Sequence, residues 1–261
     1  MTGYIAALWA EILKIRRSVI FWVTLVLLVL VILMLGFMVF ILKDPDFARK
    51  YGLLGTKAAL TIGNADWPSY HKMLVQVTGV LGLLLNGFIA TWIFGREYSD
   101  KTVKDLLALP ISRNVIVAAK LTALFAWCTL MSLLLFPMWL LVGHLIVLPG
   151  WDPSVLGSWI AGYAIASPMI ILLSLPVALV ASAGRGFLAP LGFVILTIAV
   201  TEIFALLGHA QFIPWAIPLV VLDGGGLTGA SLGMVSYFIY ALAVFAGLLG
   251  TLAWWMWADQ K

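Results

Sequence analysis

Few side chains in this chain could do chemistry, and the polar ones gather in residues 95–120, which read GREYSDKTVKDLLALPISRNVIVAAK. The three histidines, His71, His144 and His209, lie far apart, so they cannot form the paired-histidine motif of a zinc protease. The single cysteine, Cys128, excludes an internal disulfide and a thiolate metal cluster. We therefore predict no catalytic residue and no metal site in this chain.

The chain also lacks the means to hydrolyse ATP. An ATPase needs the glycine-rich loop GxxxxGK[ST], whose amides and lysine hold the nucleotide phosphates, and no stretch of the sequence matches it. We therefore predict that the chain is not an enzyme, that it holds no cofactor, and that any ATP hydrolysis belongs to another chain. Two alternatives to a chain that works with a separate ATPase stay open. One is an intramembrane enzyme acting on lipid or peptide, and the other is a regulatory membrane protein without transport.

Three polar side chains fall inside apolar runs and are candidates for a translocation path. Gln76 and Asn86 share a run with Gly79 and Ala90, and Glu202 interrupts another run. Polar groups within a membrane usually face a bundle interior or water. For Gln76 and Asn86 the alternative role is helix–helix packing. For Glu202 it is contact with the outer headgroups or with a loop base.

The elements that must position these residues are membrane-spanning helices. Of the 261 residues, 64% are hydrophobic and 10% are charged, whereas a soluble domain carries about 25% charged residues. A span needs about 20 apolar residues. The sequence therefore predicts an all-α membrane protein, one domain over residues 1–261, with spans at 19–42, 73–94, 121–148, 155–184, 187–207 and 234–257.

Two further elements are predicted beside the spans. Residues 3–17 place Ile5 and Trp9 on one helical face and Glu11 and Lys14 on the other, which indicates an interfacial helix lying flat on the membrane. The alternative is an extension of the first span. The apolar residues 213–222 are too short to cross and contain two prolines, so they predict a re-entrant segment before span six.

Proline and positive charge add detail to this plan. Pro168 and Pro176 predict kinks in the fourth span. Ten basic residues fall on the side of both termini and five on the other side, which predicts cytoplasmic termini. The bases are spread along loops without a compact patch, so nucleic acid is not a predicted partner.

The polar stretch itself predicts a short helix outside the membrane. Thr102 and Asp105 have the spacing of a capping box, and Pro110 ends the element. Ser112 can cap the next helix. An isolated helix this short is not stable in water. It must therefore dock on a partner or on the rest of the protein.

This stretch resembles the second-to-third loop of the type-2 permease family of ABC transporters, and looks closest to the bacitracin-export and lantibiotic-protection permeases. Their loop has the form G-R-E-x-x-x-x-T-x-x-x-L-L-x-x-P-x-S-R. Its positions here are Gly95, Arg96, Glu97, Thr102, Leu106, Leu107, Pro110, Ser112 and Arg113. The resemblance covers the whole chain in architecture but only about 25 residues as a motif.

The resemblance implies that residues 103–109 form a coupling helix that docks on a separate ATP-binding subunit. It places Glu97 in a gate or hinge at the cytoplasmic end of the second span. The implied coupling residues are Glu97, Asp100, Thr102, Val103, Lys104, Leu106, Leu107, Pro110 and Arg113. The alternative is a solvated loop with a charge cluster near the membrane.

The resemblance also implies an ATP-driven exporter in a bacterial plasma membrane. Its partners would be the lipid bilayer, an ATP-binding subunit that carries ATP and magnesium, and a second permease copy or a related permease. The expected cargo is a peptide antibiotic or a similar amphipathic compound, exported for self-protection.

Overall fold

The structure, a computed structural model, describes residues 2–43, 65–224 and 229–257. All regular secondary structure in these ranges is helical, in agreement with the predicted all-α class. The helices are α1 (Thr2–Arg17), α2 (Val19–Lys43), α3 (Trp67–Ser99), α4 (Val103–Leu107), α5 (Arg113–Leu145), α6 (Pro153–Leu172), α7 (Ser174–Ala183), α8 (Leu188–Leu206), α9 (Ile217–Asp223) and α10 (Met234–Trp257), with a 3-10 turn at Ala210–Phe212. A short helix around Phe47–Leu54, also suggested by the sequence, lies outside the described residues.

Six elements are long and apolar enough to cross a membrane, which confirms the predicted number of spans. They are α2, α3, α5, the pair α6 and α7, α8 and α10. Helices α3 and α5 have 33 residues each and start or end well outside the predicted limits. At about 1.5 Å per residue each is about 50 Å long, so both extend beyond a hydrocarbon core of about 30 Å.

The fourth span is interrupted, as its prolines predict. Helix α6 ends at Leu172, and α7 follows it after one residue. Pro176 has no N–H to offer the Leu172 carbonyl, so the helix breaks one turn before this proline. Pro168 lies inside α6 away from the break. The Tyr240 hydroxyl of α10 donates a hydrogen bond of 3.0 Å to the Met169 carbonyl, one turn before the break.

Helix α3 is the centre of the bundle and packs against α5, α6, α7, α8 and α9. Small residues make this close approach possible. Gly79 lies under Leu219 of α9, and Gly87 lies under Val194 of α8, in both cases without space for a methyl group. Of the small and polar residues that the sequence groups together, Gly79 therefore lies at a helix contact, whereas Gln76 is exposed.

Helix α2 lies at the edge of the bundle and packs on α5 along one narrow stripe. The buried stripe consists of Leu28, Ile32, Gly36 and Val39, at helical spacing. The Lys43 ammonium at the end of α2 donates hydrogen bonds of 2.9 and 2.8 Å to the carbonyls of Ile146 and Val147. This lysine thereby binds α2 to the C-terminal end of α5.

Helix α1 is separate from the first span and packs on α5. The hydroxyls of Tyr4 and Thr122 share a hydrogen bond of 2.8 Å between these helices. The predicted apolar face is turned outward, with Ile5 63% and Trp9 60% exposed. The predicted polar face is instead directed into the protein, because Glu11 is only 5% exposed. That α1 lies flat at the membrane surface stays a prediction.

The segment before the last span does not cross the bundle. It forms the 3-10 turn Ala210–Phe212 and the seven-residue helix α9, which packs on α6 and α3. Ile217, Val220 and Leu222 of α9 are buried. The predicted element over residues 213–222 thus contains a short helix that starts at Ile217. Its depth in a bilayer stays a prediction.

Candidate functional site

The candidate site lies at one end of the bundle, which we call the coupling end. This end contains α1, α4, the C-terminus of α3, the N-terminus of α5 and the C-terminus of α10. The residues that could transmit a movement of α4 into the spans are collected here.

Helix α4 is shorter than expected, with five residues instead of seven, and the predicted capping box is absent. Thr102 has φ −94° and ψ 3°, which is not the extended conformation of a typical N-cap, and its side chain caps no amide. Ser112 precedes α5 in an extended conformation, but its hydroxyl makes no capping hydrogen bond either.

The apolar stripe of α4 faces the protein itself. Val103 is 5% exposed, and Leu106 and Leu107 pack half-buried against the hydrophobic core. The outward surface holds Lys104, which is exposed, and continues past the helix to Leu109, which is 48% exposed. A docking partner would therefore contact Lys104 and Leu109 before it contacts the leucine pair.

A tight turn joins α3 to α4. Lys101 has the left-handed φ of 58°, which L-residues other than glycine rarely adopt. The Thr102 N–H donates to the Glu97 carbonyl at 2.9 Å, and the Asp100 N–H donates to the Arg96 carbonyl at 2.8 Å. The start of α4 is therefore hydrogen-bonded directly to the last turn of α3.

Four charged side chains, Glu11, Lys14, Glu97 and Lys120, meet beside this turn, and we call them the ion cluster. Lys14 Nζ lies 2.7 Å from Glu11 Oε1 and 2.9 Å from Glu97 Oε1. Lys120 Nζ lies 2.7 Å from Glu97 Oε1 and 3.4 Å from Glu11 Oε1. Acids and bases thus alternate around a closed ring of zero net charge, formed by α1, α3 and α5.

Lys120 is the most enclosed member of the ion cluster, with a side chain that is 0% exposed. Its ammonium donates to the Ile93 carbonyl at 2.9 Å as well as to Glu97. The rings of Phe94 and Trp255 each lie 6.0 Å from its Nζ. An ammonium removed from water needs such partners, because an unpaired buried charge is strongly unfavourable.

The electrostatics of the ion cluster keep its exposed member charged. Burial by itself lowers the pKa of Lys14, but the carboxylates of Glu97 and Glu11 outweigh burial, so its pKa lies above the ordinary value for lysine. Glu97 Oε2 is buried and accepts no hydrogen bond from the residues that the structure describes. Loss of either lysine would therefore leave Glu97 poorly compensated.

The other predicted coupling residues lie around the ion cluster. Arg113 donates to the carbonyls of Trp255 and Met256, at 3.4 and 3.1 Å, and so caps the C-terminal end of α10. Arg96 pairs with Asp100 at 3.1 Å on the surface. Pro110 is exposed in the turn after α4.

The three candidates for a translocation path are not brought together. Gln76 is exposed on α3, and Glu202 is exposed on α8. Asn86 is 4% exposed and lines a small internal cavity of about 20 Å³ with Thr78. Their role in transport stays a prediction.

A larger apolar groove opens elsewhere, between α5 and α6. It has a volume of about 780 Å³ and includes both Pro137 of α5 and Pro168 of α6. Phe125, Leu133 and Phe136 contribute aromatic and aliphatic walls. The predicted path residues do not line it.

Three members of the ion cluster were not predicted as site residues: Glu11, Lys14 and Lys120. The first two were assigned to a water-facing side of α1, and Lys120 was counted as a loop charge that precedes the third span. A usable signal was present, because Lys120 sits in an otherwise apolar run from Val115 to Leu121. A lysine in such a run requires a buried acid as its partner.

No group of three or more potential metal-ligating side chains occurs among residues 2–43, 65–224 and 229–257. The cysteine is buried in the hydrophobic core, as a structural thiol would be.

Six spans and a short helix fixed outside them define a multi-pass membrane protein. A family described as ABC-2 family transporter protein matches residues 7–202, and the chain belongs to this family. It is also similar to the bacitracin transport permease protein BCRB of Bacillus licheniformis, with 26% identity over 145 residues, which cover 56% of this chain and 70% of the relative. No solved structure matches the chain. The predicted resemblance to ABC permeases is confirmed, and the chain is a membrane-spanning permease subunit of an ABC transporter.

Proposed function

We propose that this permease works with a separate ATP-binding subunit as an exporter of a peptide antibiotic or a similar amphipathic compound. The observation that carries the proposal is the attachment of α4 to the ion cluster through Glu97. The backbone carbonyl of Glu97 holds the start of α4, and its carboxylate holds Lys14 and Lys120. One residue thus links an exposed docking element to three helices.

The linkage has a mechanical consequence. A displacement of α4 is transmitted to α1, α3 and α5 together, because breaking the ring would separate buried charges. ATP binding to a docked subunit can shift the permease between two states only by stabilising one of them more than the other. A rigid attachment of α4 makes the position of the docked subunit depend on the arrangement of the spans.

The proposed assembly contains two permease copies and two ATP-binding subunits, with magnesium and ATP on the latter. Both termini and the coupling end lie in the cytoplasm, as the ten-to-five distribution of basic residues favours. Peptide antibiotic is the proposed cargo because a relative is named as a bacitracin transport permease. The apolar groove between α5 and α6 offers a surface for the apolar part of such a compound.

The docking proposal is tested with Leu109→Asp, because Leu109 is exposed beside α4. Leu188→Asp is the matched control, since Leu188 is the exposed first residue of α8, which starts beside the C-terminal part of α3 at the same end of the bundle. The permease is co-expressed with the ABC-2-type ATP-binding subunit of its own organism, and the complex is isolated in detergent. We expect Leu109→Asp to lower the recovered ATP-binding subunit at least tenfold and Leu188→Asp to leave it unchanged.

Equal recovery with both variants would contradict docking at α4. Leu106→Asp is a weaker probe, because this half-buried side chain packs on the core and its loss can disturb the fold itself.

The cargo proposal needs a separate assay. Proteoliposomes with the assembled transporter should show ATP hydrolysis that rises severalfold with added bacitracin and stays unchanged with a soluble peptide of equal length. If bacitracin gives no stimulation while the intact complex hydrolyses ATP, the cargo assignment is wrong and the docking proposal stands.

A further inference from the structure

A groove at the coupling end has features that the transport proposal does not use. It lies between α1, the start of α2 and the last turns of α3, and has a volume of about 630 Å³. Leu13, Ile20 and Trp92 form an apolar wall, to which Phe187 contributes. We call this space the basic groove, because its polar lining includes three cations.

The cations of the basic groove differ in how they are compensated. Lys14 is held by Glu11 and Glu97 in the ion cluster. Arg96 is paired with Asp100, which also lines the groove. The remaining cation is Arg17, which is exposed and has no ion-pair or hydrogen-bond partner in the described part of the chain. One positive charge of the groove is therefore left without a counter-charge.

The combination of an apolar wall and a free guanidinium selects an amphipathic anion. A guanidinium presents a planar fork of donors that matches a phosphate. Zwitterionic lipids carry their own ammonium, which Arg17 repels, and a free inorganic anion leaves the apolar wall uncovered. Arg17 ends α1, and Ser18 alone separates it from Val19, the first residue of the first span. If α1 lies at the membrane surface, the groove is at the level of lipid headgroups, where basic segments attract anionic lipids.

We propose that the basic groove binds the headgroup of an anionic phospholipid, with its phosphate on Arg17 and its glycerol and upper acyl chain against Leu13, Ile20 and Trp92. This inference is independent of the proposed export function, and it assigns a role to Arg17 that neither the ion cluster nor α4 requires. The Lys14 side chain forms part of the same groove, so bound lipid contacts α1, the helix that supplies Glu11 and Lys14 to the ion cluster.

The experiment compares Arg17→Gln with Arg16→Gln. Arg16 is also exposed and also lacks a partner in the described ranges, but it does not line the groove, so it controls for general surface charge. The purified chain is titrated in detergent with phosphatidylglycerol and with phosphatidylcholine, and bound lipid is counted by native mass spectrometry. Folding of each variant is checked by its far-ultraviolet circular dichroism.

We expect the unaltered chain and Arg16→Gln to bind phosphatidylglycerol in preference to phosphatidylcholine. In Arg17→Gln the ratio of bound phosphatidylglycerol to bound phosphatidylcholine should fall about fivefold, which is the contribution of one cation to binding at an anionic surface. Equal loss in both variants, or no loss in either, would overturn the proposal. So would displacement of phosphatidylglycerol by millimolar inorganic phosphate, because the site would then recognise a free anion and make no use of its apolar wall.

Discussion

Replacing Lys120 by methionine isolates the electrostatic part of the ion cluster. Methionine keeps most of the volume of the lysine stem, so the loss concerns the ammonium and its contacts with Glu97 and the Ile93 carbonyl. The variant leaves Glu11 and Glu97 with Lys14 alone, which is a net charge of −1 in place of zero. Removing one member of a buried ion pair typically destabilises a protein by about 3–5 kcal/mol.

We expect a loss at the lower end of this range, about 3 kcal/mol, because Lys14 stays 2.7 Å from Glu11 and 2.9 Å from Glu97 and still compensates part of their charge. The double variant Glu97→Gln with Lys120→Met removes one charge of each sign and leaves the Glu11–Lys14 pair at 2.7 Å. It should therefore be about 1–2 kcal/mol more stable than Lys120→Met, because the carboxylate that Lys120→Met leaves uncompensated is removed.

The free energy of unfolding is measured by titration with dodecyl sulfate in mixed micelles, followed by far-ultraviolet circular dichroism. Lys72→Met serves as the control, because Lys72 is exposed and takes no part in the ion cluster. The reasoning is refuted if Lys120→Met is as stable as Lys72→Met. The single variant Glu97→Gln is measured as well. The reasoning is also refuted if the loss in the double variant equals the sum of the losses in Glu97→Gln and Lys120→Met, since the two charges would then act independently.

Two further substitutions test the backbone geometry. Gly247→Ala should destabilise the chain by about 1–3 kcal/mol, because the added methyl group would meet the backbone of Leu175 and Pro176. Gly157→Ala is the control in the same titration. It should be neutral or slightly stabilising, because a methyl group at Gly157 has no neighbour within 4 Å. Val147→Gly should stabilise the chain by about 0.5–1 kcal/mol, because Val147 is a β-branched residue held at φ 56° and its side chain is 72% exposed. A lower unfolding free energy for Val147→Gly would show that this backbone conformation carries no strain.

The number of spans was predictable because apolar length alone determines it. The ends of α3 and α5 were not, because a search for charge-free runs ends the second span before Arg96 and starts the third span after Lys120. In the structure Glu97 and Lys120 neutralise each other inside the bundle, and both helices continue past these positions. A contact between residues that are 23 positions apart is invisible to a search for charge-free runs.

The sequence predicts which residues lie at the coupling end but not how their side chains pack there. The loop motif identifies α4 and Glu97, yet it does not indicate that Leu106 and Leu107 face inward or that α1 supplies two of the four charges. The helical periodicity of α1 predicts two faces, but it does not predict that Glu11 on the polar face is buried against the other helices. Amphipathicity distinguishes two sides of a helix, and tertiary packing decides which of them is covered.

Lys43 gives the first span a second point of attachment, and this restricts which parts of the permease can move. One end of the α1–α2 pair is held through the ion cluster and the Tyr4–Thr122 contact, and the other end through Lys43 on the carbonyls after α5. Because the α1–α2 pair is attached at both ends of α5, we expect these three helices to move together in a transport cycle. Relative motion would then fall to the rest of the bundle, which includes α8, where the buried residues are Pro190, Val194, Thr197 and Thr201.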